Sequence, residues 1–258
     1  MNIHFYKYQG AGNDFIIADN RDRKIQLTQQ QVAFLCDRHF GIGADGLMLL
    51  EHAEGYDFKM VYYNTDGNES TMCGNGGRCI AAFSQKLGIV KTEAKFLAID
   101  GGHTAIIDTS GTVHLAMQDV HHIAFKDGFA ILNTGSPHYV TWVDDADNTD
   151  VFNNGRAIRN KDEFQPKGIN VNFVQTEEHG IKVRTYERGV EDETLSCGTG
   201  VTASAIANAK DATGKFDVPI HTPGGQLRVT FTKEIPGAAT DVVLIGPAVL
   251  VFEGDIEL

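Results

Sequence analysis

Apolar and polar positions alternate along much of the chain. Phe58-Lys59-Met60-Val61-Tyr62-Tyr63, Thr112-Val113-His114-Leu115-Ala116-Met117 and Gln226-Leu227-Arg228-Val229-Thr230-Phe231 combine this alternation with β-branched and aromatic residues, which predicts strands. Asp100-Gly101-Gly102 and Pro223-Gly224-Gly225 separate such runs and predict hairpin turns. Few segments are long enough for helices. The clearest are Thr28–Arg38, opened by a threonine suited to the N-cap, Arg78–Leu87, stopped by Gly88, and Val201–Lys210, stopped near Gly214. Ile80-Ala81-Ala82-Phe83 and Val201–Ala207 are small or apolar on most faces, so these two helices should be buried all round.

The pattern repeats once. Cys73-Gly74-Asn75-Gly76 recurs 124 residues later as Cys197-Gly198-Thr199-Gly200. Gly101-Gly102 has its counterpart 123 residues on in Gly224-Gly225, and Gly12-Asn13-Asp14-Phe15 at the same offset in Gly135-Ser136-Pro137-His138. An acidic residue, Glu69 or Glu193, stands four before each cysteine. Landmarks in one order at nearly one offset indicate two similar halves, residues 1–117 and 118–247. The terminal strand 248–258 is expected to return to the first half. The expected architecture is α+β: two pseudo-symmetric lobes, each a β-barrel-like sheet around a central helix, with the active site in the cleft between them.

Composition narrows the functional classes. A chain with 42% hydrophobic and 22% charged residues has the profile of a globular protein with an adequate core. Its net charge of -12 argues against nucleic-acid binding, which needs clustered Lys and Arg. No apolar run has the length of a membrane span or of a signal peptide core, so a cytoplasmic protein with reduced thiols is expected.

The two Cys-Gly-x-Gly turns carry the candidate chemistry. Glycines let backbone N–H groups approach a ligand, and a helix N-terminus offers unpaired donors and partial positive charge to a carboxylate. The same field favours a thiolate. Inverting a carbon centre requires one base to remove a proton and a second acid, on the opposite face, to return another. Two cysteines, one as thiolate and one as thiol, meet that need with no cofactor and no metal.

Each feature also has a plainer reading. Cys36 and Cys79 fit core filling. Cys73 and Cys79 are six residues apart, unlike the close pairs of zinc sites. His138 alone could cap a turn, Glu187 and Arg188 could be a solvated pair, and Asn13 and Asn64 could shape turns. His121-His122 reads as an exposed linker between the lobes. Neither glycine-rich turn fits a phosphate loop or a dinucleotide fingerprint.

Met72-Cys73-Gly74-Asn75-Gly76-Gly77-Arg78-Cys79, Ser196-Cys197-Gly198-Thr199-Gly200, Gly10-Ala11-Gly12-Asn13-Asp14-Phe15 and Tyr186-Glu187-Arg188-Gly189 together resemble the diaminopimelate epimerase family. The resemblance implies a two-lobed fold and interconversion of LL- and meso-2,6-diaminopimelate, on the bacterial route to lysine and peptidoglycan. It implies Cys73 and Cys197 as acid–base thiols, with His138 and Glu187 assisting them and His138 expected to serve Cys73. It implies Asn13, Asn64, Asn170 and Arg188 as substrate ligands, and Gly74, Asn75, Gly198 and Thr199 as backbone donors to the reacting carboxylate. Epimerases of this type also form homodimers. Ser136 stands where many members have asparagine, and Gly46 where some have glutamine. The competing readings are a proline or hydroxyproline racemase, and a redox or amino-acid-binding protein with a reversible Cys73–Cys197 bridge.

Overall fold

The computed structural model describes residues 1–258. They form two compact units, Met1–Leu115 with Gly246–Leu258, and Ala116–Ile245. The first unit contains strands β1 (Asn2–Gly10), β2 (Asn13–Asp19), β3 (Gly46–Glu51), β4 (Phe58–Asn64), β5 (Glu69–Ser70), β6 (Glu93–Ala98), β7 (Gly101–Ile107) and β8 (Val113–Ala116), with helices α1 (Gln29–Cys36) and α2 (Gly74–Lys86). The second contains β9 (Ile123–Lys126), β10 (Phe129–Asn133), β11 (Pro137–Trp142), β12 (Asn170–Glu177), β13 (Gly180–Glu187), β14 (Asp192–Thr194), β15 (Gly214–Thr222), β16 (Gly225–Lys233) and β17 (Thr240–Gly246), with α3 (Val151–Arg159) and α4 (Gly198–Asn208). The last strand, β18 (Val249–Glu257), pairs antiparallel with β1, from Asn2 opposite Glu257 to Gln9 opposite Val249.

Strand pairing makes the duplication explicit. In the first unit the ladder runs β18-β1-β2-β3-β4-β6-β7-β8, with β5 as a short addition to β4. In the second it runs β9-β10-β11-β12-β13-β15-β16-β17, with β14 added to β13. The two parallel joints fall at matching places: β2 with β3 and β4 with β6 in one, β11 with β12 and β13 with β15 in the other. Such joints need crossovers, and helices supply them. α1 and α3 occupy the first crossover of each unit, and α2 and α4 the second.

In each unit the second helix is the core. α2 packs on β1, β2, β3 and β7, and α4 on β10 to β13, β15 and β16. Each helix thus meets strands from both ends of its ladder, so the sheet wraps around it. Cys79, Ile80, Ala81 and Phe83 of α2 are fully buried, as are Val201, Ala203, Ala205, Ile206 and Ala207 of α4. Their small side chains allow strands to close in on every side.

Both core helices begin earlier than their sequences indicate. α2 starts at Gly74 rather than Arg78, and α4 at Gly198 rather than Val201. Glycine costs about 1 kcal/mol relative to alanine inside a helix, which hides these first turns from propensity. Packing overrides the cost. A Cβ on Gly77 would lie 2.9 Å from Met72 Sδ and 3.0 Å from Leu115 Cδ2, so these side chains close in on the glycine and would have to shift to admit a larger residue.

α1 has the expected Thr28 cap, with Thr28 Oγ1 accepting from Gln31 N. α3 was not foreseen. Its Asn153-Asn154-Gly155 sequence is poor in helix formers, but Asp150 caps it and Gly155 packs directly on Tyr186. His121 and His122 are exposed and lie within the second unit, between the Val120–Ala239 bridge and β9, rather than between the units. The two expected hairpins form, turning at Ile99-Asp100 and Pro223-Gly224.

Candidate active site

In the first unit, Cys73 is the N-cap of α2, in extended conformation with φ -103° and ψ 148°. The Gly76 N–H donates to its Sγ at 3.2 Å, so the sulfur occupies the anion position of the helix terminus. A Cβ on Gly76 would sit 3.0 Å from that sulfur. Here glycine serves close approach, because Gly76 has ordinary helical backbone.

Asn75, the second residue of the same helix, is buried. Its side-chain N–H donates to Asn13 Oδ1 at 3.3 Å, and its Oδ1 accepts from Arg78 at 3.0 Å. Asn13 leaves a tight β1–β2 turn in which Ala11 and Gly12 both have positive φ, 53° and 85°. That geometry splays nothing and places Asn13 directly opposite Gly10. Asn13 in turn donates to Asp45 Oδ2 at 2.6 Å. Cys73, Gly74, Asn75 and Asn13 thus form one cluster, braced by two residues that sequence reasoning did not assign, Asp45 and Arg78.

Arg78 is fully buried and donates to Gly74 O, Asn75 Oδ1 and Pro247 O. Burial lowers its pKa to about 10, which leaves it charged at neutral pH. Its place in the Gly77-Arg78-Cys79 run was a readable signal, since a cation inside an apolar helix demands partners. Asn64 ends β4, exposed, opposite Gly46 on β3. Gly46 has no room for a side chain: a Cβ would lie 2.5 Å from the Tyr62 ring and 2.8 Å from Tyr63 O. The Tyr62 ring fills the space a longer residue would use.

Cys36 and Cys79 are buried, and burial pushes their thiols up to about 11 and about 12. Neither has the setting of a thiolate.

In the second unit, Cys197 is the buried N-cap of α4. Its Sγ lies 3.5 Å from Thr199 Oγ1, and that hydroxyl lies 2.9 Å from His138 Nε2. The contacts of His138 within its own unit therefore lead to Cys197. His138 Nδ1 lies 3.1 Å from the side-chain nitrogen of Asn172. Burial, and secondarily the charge of Arg188, lowers the His138 pKa to about 3. The carbonyl of Thr199 accepts from Thr134 Oγ1 at 2.8 Å, which anchors the turn.

A second cluster joins Asn170, Arg188 and Ser136. Asn170 Nδ2 donates to Ser136 Oγ at 2.9 Å, and its Oδ1 accepts from the Arg188 backbone N–H at 2.8 Å. Arg188 reaches Ser136 Oγ at 3.4 Å and Lys167 O at 3.3 Å. Serine at 136 therefore links two residues expected to be ligands. Glu187 ends β13 and accepts from Thr194 Oγ1 at 3.0 Å. Asn172 was missed, although Asn170-Val171-Asn172-Phe173 alternates and puts both asparagines on one face of β12.

Comparison with known proteins follows the same lines. The sequence profile described as diaminopimelate epimerase matches residues 5–123 and 130–251. The chain belongs to the diaminopimelate epimerase family. It is 52% identical to the diaminopimelate epimerase of Flavobacterium psychrophilum, covering 98% of this chain and 100% of that one. It is 40% identical to that of Chlorobaculum tepidum, covering 96% and 99%. Among solved structures, a phenazine biosynthesis protein of Bacillus anthracis superposes with a TM-score of 0.76 over the full length of both chains, at 15% identity. That likeness establishes a shared two-lobe fold and nothing about activity. As a member of this family the protein is an amino-acid epimerase, an isomerase of lysine biosynthesis. No helix is long and apolar enough to cross a membrane.

Proposed function

We propose that the protein interconverts LL- and meso-2,6-diaminopimelate by a two-base mechanism in which Cys73 and Cys197 act in turn on one α-carbon. The observation that carries this reading is the duplicated thiol: each unit caps its buried central helix with a cysteine followed by glycine. A thiolate removes the α-proton from one face, and the other cysteine, as thiol, delivers a proton to the opposite face. The roles exchange when the reaction runs backwards. The α-proton is a weak acid, so the carboxylate must be gripped as charge moves onto it. Backbone N–H groups of Gly74 and Asn75, and of Gly198 and Thr199, are the donors in the first turns of the two helices.

Asn13, Asn64, Asn170 and Arg188 are substrate ligands in this reading, and the asparagines suit recognition of the distal amino-acid group. Asn13 and Asn170 are held by fixed partners, which favours recognition without reorganisation. His138 and Glu187 assist the thiols. In this reading the two thiols and the N–H groups of the helix N-termini carry the proton transfers without a cofactor. The substrate is small and zwitterionic, and a mechanism requiring reduced thiols suits the cytoplasm.

The test is incubation of reduced protein with LL-diaminopimelate in deuterated water, following α-deuterium and stereochemistry together. The expected result is meso product carrying deuterium at the inverted carbon. Absence of both label and meso product contradicts the proposal, and turnover of proline in its place transfers the reading to a proline racemase.

A further inference from the structure

Tyr139 O fixes the orientation of the Asn172 side chain. The side-chain nitrogen of Asn172 lies 3.1 Å from that carbonyl, which can only accept, and 3.1 Å from His138 Nδ1. The oxygen end accepts from Thr185 Oγ1 at 3.0 Å, across the β12–β13 register that sets Asn172 opposite Thr185. Both N–H bonds of the amide are thereby directed, one to Tyr139 O and one to His138. An N–H aimed at Nδ1 requires that nitrogen to be an acceptor. The proton of the neutral ring then resides on Nε2 and is donated to Thr199 Oγ1. With its acceptor role filled, the Thr199 hydroxyl turns its own proton to Cys197 Sγ.

We propose that Asn172 is a positioning residue that locks His138 in the Nε2–H tautomer, so that His138 and Thr199 deliver a hydrogen bond to the Cys197 thiolate rather than taking its proton. His138 is then no base for Cys197. Nδ1 is blocked by an N–H and Nε2 already holds a proton, so the ring has no site to accept one. The proton that leaves Cys197 goes to the substrate carbon, and the chain stabilises the sulfur anion left behind. The charged and titratable groups facing His138 are Arg188, which opposes protonation of the ring, and Cys197 itself at the end of the chain. Glycine at 200 is part of the device, since a Cβ there would lie 2.5 Å from Asn172 Oδ1 and 3.3 Å from Cys197 Sγ. The role assigned to Asn172 rests on Cys197 being an acid–base thiol, whereas the tautomer does not.

The experiment is nitrogen NMR of the full chain labelled in histidine. The expected spectrum has His138 Nδ1 unprotonated and Nε2 protonated throughout roughly pH 5–9. A protonated Nδ1 in that range overturns the proposal. Asn172→Asp presents only acceptors to Nδ1 and should move the proton there. Its Cys197 alkylation profile should shift to higher pH while that of Cys73 stays, and kcat should fall about ten- to a hundred-fold with little change in KM. An unmoved Cys197 profile in a variant with protonated Nδ1 also overturns it. Should Asn172→Asp not fold, Thr199→Val makes the same test: the Cys197 profile shifts and the His138 tautomer does not. α-Deuterium incorporation by the wild-type protein is measured alongside. Its failure sinks the epimerase reading and leaves the tautomer result standing, while a wrong tautomer in a working epimerase sinks this proposal alone.

Discussion

Asn13 donates its side-chain N–H to Asp45 Oδ2 at 2.6 Å, and the same oxygen accepts the Asp14 backbone N–H at 3.1 Å. One carboxylate thus fixes both the rotamer of Asn13 and the strand that carries it. A hydrogen bond to a charged group contributes about 1.5–3 kcal/mol. Asp45→Ala should therefore raise KM for diaminopimelate about ten-fold or more, with a smaller loss in kcat. Steady-state kinetics decide it, and an unchanged KM would remove Asn13 from the ligands.

Arg78 predicts a stability effect. Its guanidinium donates to three oxygens, two of them backbone carbonyls in the α2 first turn and at Pro247. Arg78→Met keeps the buried volume and strands those acceptors, at a cost of about 3–5 kcal/mol. Thermal unfolding should fall by on the order of 10 °C. A melting temperature within two or three degrees (roughly the scatter of neutral surface changes) would show that water or a shifted neighbour satisfies them.

Asp14 predicts an acid limit. Burial raises its pKa, but hydrogen bonds from Arg38 and Lys7, with their charges, outweigh burial and hold it at about 2. A depressed carboxyl stabilises the fold above its unfolded pKa, near 3.8, and that contribution disappears as pH falls through about 2. The melting temperature should therefore decline between about pH 4 and pH 2 with a slope that Asp14→Asn reduces. Equal slopes in the two proteins would assign acid sensitivity to other carboxylates.

Thiol chemistry should divide the four cysteines. With their pKa raised to about 11 and about 12 by burial, Cys36 and Cys79 should resist iodoacetamide at neutral pH in the folded protein. Labelling should fall on Cys73 and Cys197, with substrate slowing it. Mass spectrometry of peptides reads the outcome, and Cys36→Ala should leave kcat nearly unchanged. Rapid modification of Cys36 ahead of Cys73 would contradict this division.

The duplication was legible because the same glycine spacing follows each cysteine, and at Gly76 and Gly200 that glycine lies against the sulfur, where a Cβ would sit 3.0 and 3.3 Å from it. The first turns of α2 and α4 were not legible, since glycine masks helices by propensity while tertiary contacts require it. α3 was missed for a related reason: its asparagines favour turns, and only the Asp150 cap and Tyr186 packing make it helical. At the site, Cys73 and Cys197 could be singled out from motif and spacing, and Asn13 only through the resemblance. Asp45 could not, because it acts through Asn13, brought close by strand pairing, and for Asn172 the alternation along β12 gave its face but not its partner His138. A pair such as His138 and Asn172, 34 residues apart, has no local signature.

The two-thiol claim is tested most directly by removing one thiol at a time. Cys73→Ala and Cys197→Ala are each assayed for conversion of LL- to meso-diaminopimelate, with circular dichroism to verify folding. Loss of essentially all inversion in each folded variant is the predicted result. Full activity in either one would contradict a mechanism in which one cysteine takes the proton and the other returns it.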